Sequence, residues 1–161
     1  MKVYEVRALG IILSLSLILQ MGCKDDNGDP SPYISMYEYL EQNADRYSGY
    51  VETSSGLIYF IEEEGTGSLP ETGDQVKVHY IGYHMNDVEF DSSYERGYPI
   101  SFYLGQGEVI KGWDEGIALL KKGSKCTFFI PSYLAYGKDG GGNVSSNEDL
   151  KFEVKLVDII K

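Results

Sequence analysis

From Gly49 to the C-terminus apolar side chains recur mostly at every second position, which predicts strands. Leu57, Tyr59 and Ile61 alternate with Ile58 and Phe60 until the acidic run Glu62 to Glu64 and Gly65 closes the segment. Val76, Val78 and Tyr80 share one face of the next strand and Lys77 and His79 the other, the pattern of a half-buried strand. Phe90 falls in a short strand after the Asn86-Asp87 turn, and Ile100, Phe102 and Leu104 alternate with Ser101 and Tyr103. Cys126, Phe128 and Ile130 resume the period of two. The final segment places Leu150, Phe152, Val154 and Leu156 inside and Lys151, Glu153 and Lys155 outside. Two stretches break the alternation. Ser35 with Glu38 fits a capping box, and Met36, Leu40, Ala44 and Tyr47 then recur at helical spacing, predicting a helix over 34–48. Within Val109 to Leu120, Trp113, Ile117 and Leu120 fall at i, i+4 and i+7 on one helical face. Strands with one embedded amphipathic helix predict an α+β domain over 49–161, an antiparallel sheet curled against that helix.

The first residues follow a different pattern. Lys2 and Arg7 precede an apolar run from Ala8 to Leu19. A helix of that length reaches roughly 18 Å, short of the ~30 Å hydrocarbon layer, so the run reads as a secretory signal over 1–22. Gln20-Met21-Gly22-Cys23 resembles a bacterial lipoprotein box, imperfect at Gln20, in which the Cys23 thiol is acylated. The alternative is a buried or reactive thiol, but the polar run after Cys23 gives it no core to occupy. Residues 23–33, with acids, Gly and two prolines, form a lipidated tether. The expected location is the bacterial cell envelope, anchored by lipid to the outer membrane and facing either the periplasm or the surface.

Charge narrows the partners. With 14 Lys+Arg against 25 Asp+Glu the net charge is -11, which repels phosphate backbones, so nucleic acid is not expected as a partner. Removing 1–22 takes away Lys2, Arg7 and Glu5 and leaves -12. Such a body holds a membrane through its acyl chains alone. Two cysteines provide no disulfide framework, and Cys126 on an inward strand face reads as a small buried hydrophobe.

Six ordered pieces carry the chemistry: Val78-His79-Tyr80, Phe90-Asp91-Ser92-Ser93, Leu104-Gly105, Glu108 to Trp113, Ala135-Tyr136-Gly137 and Leu150-Lys151-Phe152. In that order they resemble the FKBP family of peptidyl-prolyl isomerases over about 70–161. The resemblance implies a five- to six-stranded antiparallel sheet wrapped around one short helix, with a hydrophobic pocket between them. It further implies a function, isomerisation of X-Pro bonds with no cofactor and no metal; with the signal segment, the expected substrates are proteins folding outside the cytoplasm. Proline-containing polypeptides are the implied partners, and macrolide inhibitors of the family are implied pocket ligands.

By position, the resemblance places substrate against Tyr80, Phe90, Phe102, Val109, Trp113, Val144 and Phe152, and assigns catalysis to Asp91, Tyr136 and the Ile110 backbone N–H. Trp113 would form the floor; composition alone reads it as a core residue. Asp91 otherwise reads as a turn-former beside Ser92 and Ser93, and Tyr136 as an ordinary interfacial aromatic. Arg96 is expected to pair with a nearby acid. Two departures bear on activity. The loop 138–147, where the family carries Ile-Pro-Pro, is glycine-rich, with Val144 as its one apolar candidate, so a mobile rim and modest catalysis are expected. Ile100 stands where the family commonly has an aromatic. A weakly catalytic chaperone or proline-segment binder is the alternative, and a partner-binding lipoprotein using tyrosines as stacking platforms is a remote third. Gly140 to Gly142 lack the context of a phosphate cradle. His79 and His84 are expected on different faces, which disfavours a metal site.

Overall fold

The computed structural model describes residues 2–3 and 33–161. The signal segment, except Lys2 and Val3, and the tether with Cys23, except Tyr33, lie outside the described residues. The strands are β1 (Lys2–Val3), β2 (Val51–Glu52), β3 (Ile58–Glu63), β4 (Gln75–Tyr83), β5 (Glu89–Ser92), β6 (Ile100–Tyr103), β7 (Lys125–Ile130) and β8 (Leu150–Ile160). They form one antiparallel sheet in the order β1-β2-β3-β7-β8-β4-β5, with β6 pairing on β4. Six of them have four or more residues, in keeping with the five to six strands expected; β1 and β2 are two-residue edge pieces.

Strand β4 divides its edge between two partners. Gln75 to Val78 pair with β6 and Ile81 to Tyr83 with β5. The loop 93–99 joins two strands that pair along the same edge of β4. Its first residue is tied back firmly: Ser93 Oγ accepts the Tyr80 N–H at 2.8 Å and donates to the Tyr80 carbonyl at 3.1 Å.

Helix α2 (Lys111–Ala118) lies on the inner face of the sheet. Trp113, Ile117 and Leu120 are all buried there, as their spacing requires. Two glycines allow the close approach. A Cβ on Gly112 would lie 2.5 Å from Ile130 Cγ2, and one on Gly116 would lie 2.7 Å from Phe128 Cζ, so a side chain at either position must displace these β7 side chains.

The opposite face of the sheet is covered at one end by helix α1 (Met36–Gln42) and the turns after it. Its capping box forms as expected, with Ser35 Oγ accepting the Glu38 N–H and Glu38 Oε2 accepting the Ser35 N–H at 2.9 Å. The helix is shorter than 34–48, because Asn43 caps it; Tyr47 is buried from the following turn. Met36, Tyr39, Leu40 and Tyr47 pack on Ile58, Met85 and Phe129 as a second apolar cluster.

This cover corrects the expectation that Lys151 faces solvent. Lys151 is 2% exposed, and its ammonium donates to Tyr39 Oη at 3.0 Å, ion-pairs with Asp87 and stands over the Tyr39 and Tyr83 rings. A buried ammonium is tolerated only with such partners. Cys126 is buried as expected, and burial pushes its thiol up, out of the nucleophilic range.

Candidate active site

A cavity of about 450 Å³ opens between the inner face of the sheet, the N-terminal end of α2 and the loops around them. Trp113, on the first turn of α2, is 3% exposed and closes the bottom. Its indole meets Tyr80 edge-on at 4.8 Å and Phe152 edge-on at 5.4 Å, and Phe90 meets Phe152 edge-on at 5.6 Å. Such edge-to-face pairs fix ring orientations by quadrupole as well as by contact. The indole Nε1 has no acceptor among the described residues, so packing alone holds the ring.

Val109 and Ile110 complete the apolar wall from the loop entering α2. That loop is fixed by Asp114, whose carboxylate accepts the Gly105 and Gly107 N–H groups at 2.9 and 3.0 Å. Ile110 is the N-cap residue of α2; none of the described residues accepts its own N–H. Unsatisfied donors are the rule at helix N-termini, and Ile110 is a lining residue of the cavity.

The polar edge is built from three groups. Asp91, on β5, accepts from Tyr80 Oη with one carboxylate oxygen and from Arg96 Nη1 at 2.5 Å with the other. Arg96 Nη2 donates in turn to Tyr80 Oη at 2.7 Å. Burial pushes the Asp91 carboxyl up, but the bonds from Tyr80 and Arg96 outweigh it and hold it below the ordinary carboxylate range. Burial and the Asp91 bond push the Tyr80 hydroxyl up to about 12. The expected pairing of Arg96 with an acid is present, and its partner is a cavity residue.

Tyr136, 40% exposed, faces the cavity from the far side, its hydroxyl raised by burial and then by the Asp91 charge. Beside it a second depression is formed by Phe90, Asp91, Tyr136 and Val144 with Gly141, Gly142 and Asn143. Val144 therefore extends the site rather than lining the main cavity. The glycine-rich rim forms a bonded hairpin: Gly141 and Val144 exchange backbone hydrogen bonds at 3.0 and 2.9 Å, and Asn147 N–H reaches Gly137 O at 2.8 Å. Gly142 has φ of +58°, the conformation that the first central residue of such a turn takes most readily as glycine.

Of the sequence-predicted residues, Tyr80, Phe90, Asp91, Val109, Ile110, Trp113, Tyr136 and Phe152 all line the cavity. Phe102 does not. It is buried and packs against Trp113 at 6.0 Å, while Ile100, two residues earlier on the same face of β6, reaches the cavity instead. Alternation fixes the face but not the depth along the strand. Glu108, which the sequence alone does not mark as a site residue, also lines the cavity, and its carboxylate accepts the Tyr103 N–H at 3.1 Å.

This geometry has close counterparts. Residues 67–157 match the sequence model of the FKBP-type peptidyl-prolyl cis-trans isomerase family. The chain belongs to that family. The FKBP-type isomerase FkpA of Aeromonas hydrophila is 48% identical over 124 residues, covering 77% of this chain and 45% of the relative. FkpA of Escherichia coli K12 is 43% identical over 122 residues, covering 76% of this chain and 44% of the relative. The crystal structure of Escherichia coli FkpA superposes with a TM-score of 0.70 at 43% identity, over 77% of this chain and 57% of that one. That of AtFKBP13 does so with a TM-score of 0.66 at 36% identity, over 68% and 97%. The chain spans about half the length of the curated FkpA relatives it matches.

Proposed function

We propose that this FKBP domain catalyses cis/trans isomerisation of X-Pro bonds in proteins folding outside the cytoplasm. The observation that carries the reading is an aromatic-walled cavity, floored by Trp113, with hydrogen-bonding groups confined to its edge. Rotation about a peptide bond crosses ~18–20 kcal/mol because the planar amide is resonance-stabilised, and only X-Pro bonds populate both isomers substantially. A twisted amide has lost that resonance and much of its dipole. Moving it from water into an apolar slot therefore penalises the planar ground state more than the transition state.

Magnitudes rank the contributions. An acceleration of 10⁶ would need about 8 kcal/mol. Two donors, the Tyr136 hydroxyl and the Ile110 N–H, supply roughly 1 kcal/mol each. The larger share falls to the apolar enclosure, and proline suits it because its compact ring brings no N–H to satisfy. Macrolide inhibitors of the family would occupy the same cavity.

Tyr136→Phe removes one donor and no wall. The expected result is a kcat/KM lower by about three- to tenfold with Tm nearly unchanged; an unaltered rate would take this hydroxyl out of the mechanism. The chemistry also requires no proton transfer. Because the Asp91 carboxyl is depressed in the folded state, its pairing is present above the ordinary aspartate pKa and is lost only as pH falls through the depressed value. Turnover is therefore expected to be level between about pH 7 and 9. A bell-shaped profile in that window would point to acid-base catalysis instead.

The proposed location rests on the first residues of the sequence. We read residues 1–22 as a signal and Cys23 as the acylated residue, which would tether the domain in the bacterial envelope by lipid through residues 24–33. Globomycin-sensitive processing and metabolic palmitate labelling of Cys23, lost in Cys23→Ala, is the expected result; an unlabelled wild-type chain overturns it. The catalytic reading is tested by adding purified chain to a Phe-Pro peptide and following the cis-to-trans rate. A rate above that of buffer, suppressed by a macrolide of the family, is expected; a rate equal to buffer removes the enzyme and leaves a proline-segment binder.

A further inference from the structure

Two acidic residues at the foot of the rim hairpin line neither the main cavity nor the depression beside it, and one of them, Glu148, bonds the hairpin directly. Glu148 is 4% exposed, a depth at which carboxylates are found only with partners. Its Oε2 accepts the N–H of Ser145, the residue after Val144, at 2.8 Å. Its Oε1 lies 2.5 Å from Nδ1 of His84, a residue 64 positions earlier in the chain. His84 is also buried; it stacks flat on Tyr33 at 4.8 Å and meets the cavity ring Phe90 at 5.1 Å. Asp149 forms a second joint, accepting the Met36 N–H at 3.2 Å and the Ser132 N–H at 2.9 Å, at the start of the segment leading to Tyr136.

The hairpin needs such joints. It contains Gly137, Gly140, Gly141 and Gly142, whose backbone freedom makes an ordered loop costly in entropy. The Gly141–Val144 bonds shape only its tip. The Glu148 bridge ties the hairpin to the end of β4 and, through His84, to Phe90 on β5, alongside the Asn147–Gly137 bond at its base and the burial of Val144 in the core.

We propose that His84 and Glu148 are positioning residues, which hold Val144 and Tyr136 against Phe90 and bring the N-terminal segment, through Tyr33, into the support of the site. The kinetic consequence rests on the isomerase reading; the structural one does not. Glu148→Ala leaves His84 and the Ser145 N–H without their shared acceptor, whereas Glu148→Gln keeps an oxygen for one and an amide for the other.

The test uses the full chain and two readouts: hydrogen exchange at the Val144 and Asn147 amides, and kcat and KM on a Phe-Pro peptide. Leu156→Val is the control, fully buried in β8 beside Val78 and away from the rim. In Glu148→Ala, exchange should rise about tenfold and kcat/KM fall about five- to tenfold, mainly through KM. Glu148→Gln should return both to within about twofold, and Leu156→Val should lower Tm while moving neither. Should Glu148→Ala fail to fold, His84→Leu, which removes the bond and keeps apolar bulk, carries the same comparison. Unchanged exchange at those amides, or a KM change no larger than in the control, overturns the proposal. If the wild-type chain isomerises nothing, the functional reading falls, and the exchange comparison alone decides whether the pair positions the rim.

Discussion

Gly82→Ala is expected to lower kcat/KM by about tenfold or more while leaving the chain folded. Gly82 lies on the inner face of β4, paired with Phe152 on one side and Asp91 on the other. A Cβ there would stand 2.7 Å from Phe90 Cζ and 2.9 Å from Phe152 Cε1. Side-chain carbons do not approach so closely, so one or both rings must move. Those rings are two walls of the cavity, and their edge-to-face contact depends on the missing side chain between them. Overpacking of this kind costs about 1–3 kcal/mol in stability, small enough for the fold to survive at moderate temperature. The catalytic loss should be larger than the stability loss explains, because a wall shifted by a few tenths of an ångström changes the slot proposed to receive the proline ring. Steady-state kinetics beside a melting curve measure both. Full activity in a folded Gly82→Ala chain would mean that the position of these rings does not matter to turnover.

Trp113→Ala has the largest expected effect on both quantities. Removing a buried indole typically costs about 3–5 kcal/mol, a large part of the ordinary stability of a domain this size. It also removes the floor and with it edge contacts to Tyr80 and Phe152. We expect kcat/KM to fall about a hundredfold where the chain remains folded. Trp113→Leu separates the two effects, since it restores apolar volume without the flat indole: most of the stability should return, and a deficit of about tenfold in kcat/KM should remain. Equal activity of Trp113→Leu and wild type would reduce Trp113 to a core residue, the reading composition alone favoured. Trp113 is the single Trp of the chain, so its fluorescence also reports directly on occupation of the cavity.

What the sequence made legible and what it hid divides by the distance over which each cause acts. The Ser35–Glu38 capping box spans three residues and could be read from them. So could the face of α2 bearing Trp113, Ile117 and Leu120, and the inner face of β8, because periodicity is local. Lys151 shares that alternation and breaks its usual meaning: the segment that buries it contributes Tyr39, 112 residues away. The His84–Glu148 joint hid for the same reason, as did the packing of Phe90 and Phe152 against a side-chain-free Gly82. Most of the cavity residues were legible only through the family resemblance, since nothing in a strand's period says that its rings leave a space. Phe102 marks where that route fell short; its face was right, and its depth placed it behind the cavity rather than on it.

In the proposed mechanism a proline ring rests on Trp113 while its preceding bond turns. Exchange NMR on a Phe-Pro peptide with substoichiometric protein tests it directly, reading the cis/trans exchange rate and the contacts between the proline ring and the protein in one sample. The account predicts exchange well above the uncatalysed rate, with nuclear Overhauser effects from the proline ring to the Trp113 indole and the Phe152 ring. Exchange no faster than in buffer, or acceleration with the proline ring contacting some other surface, would contradict it.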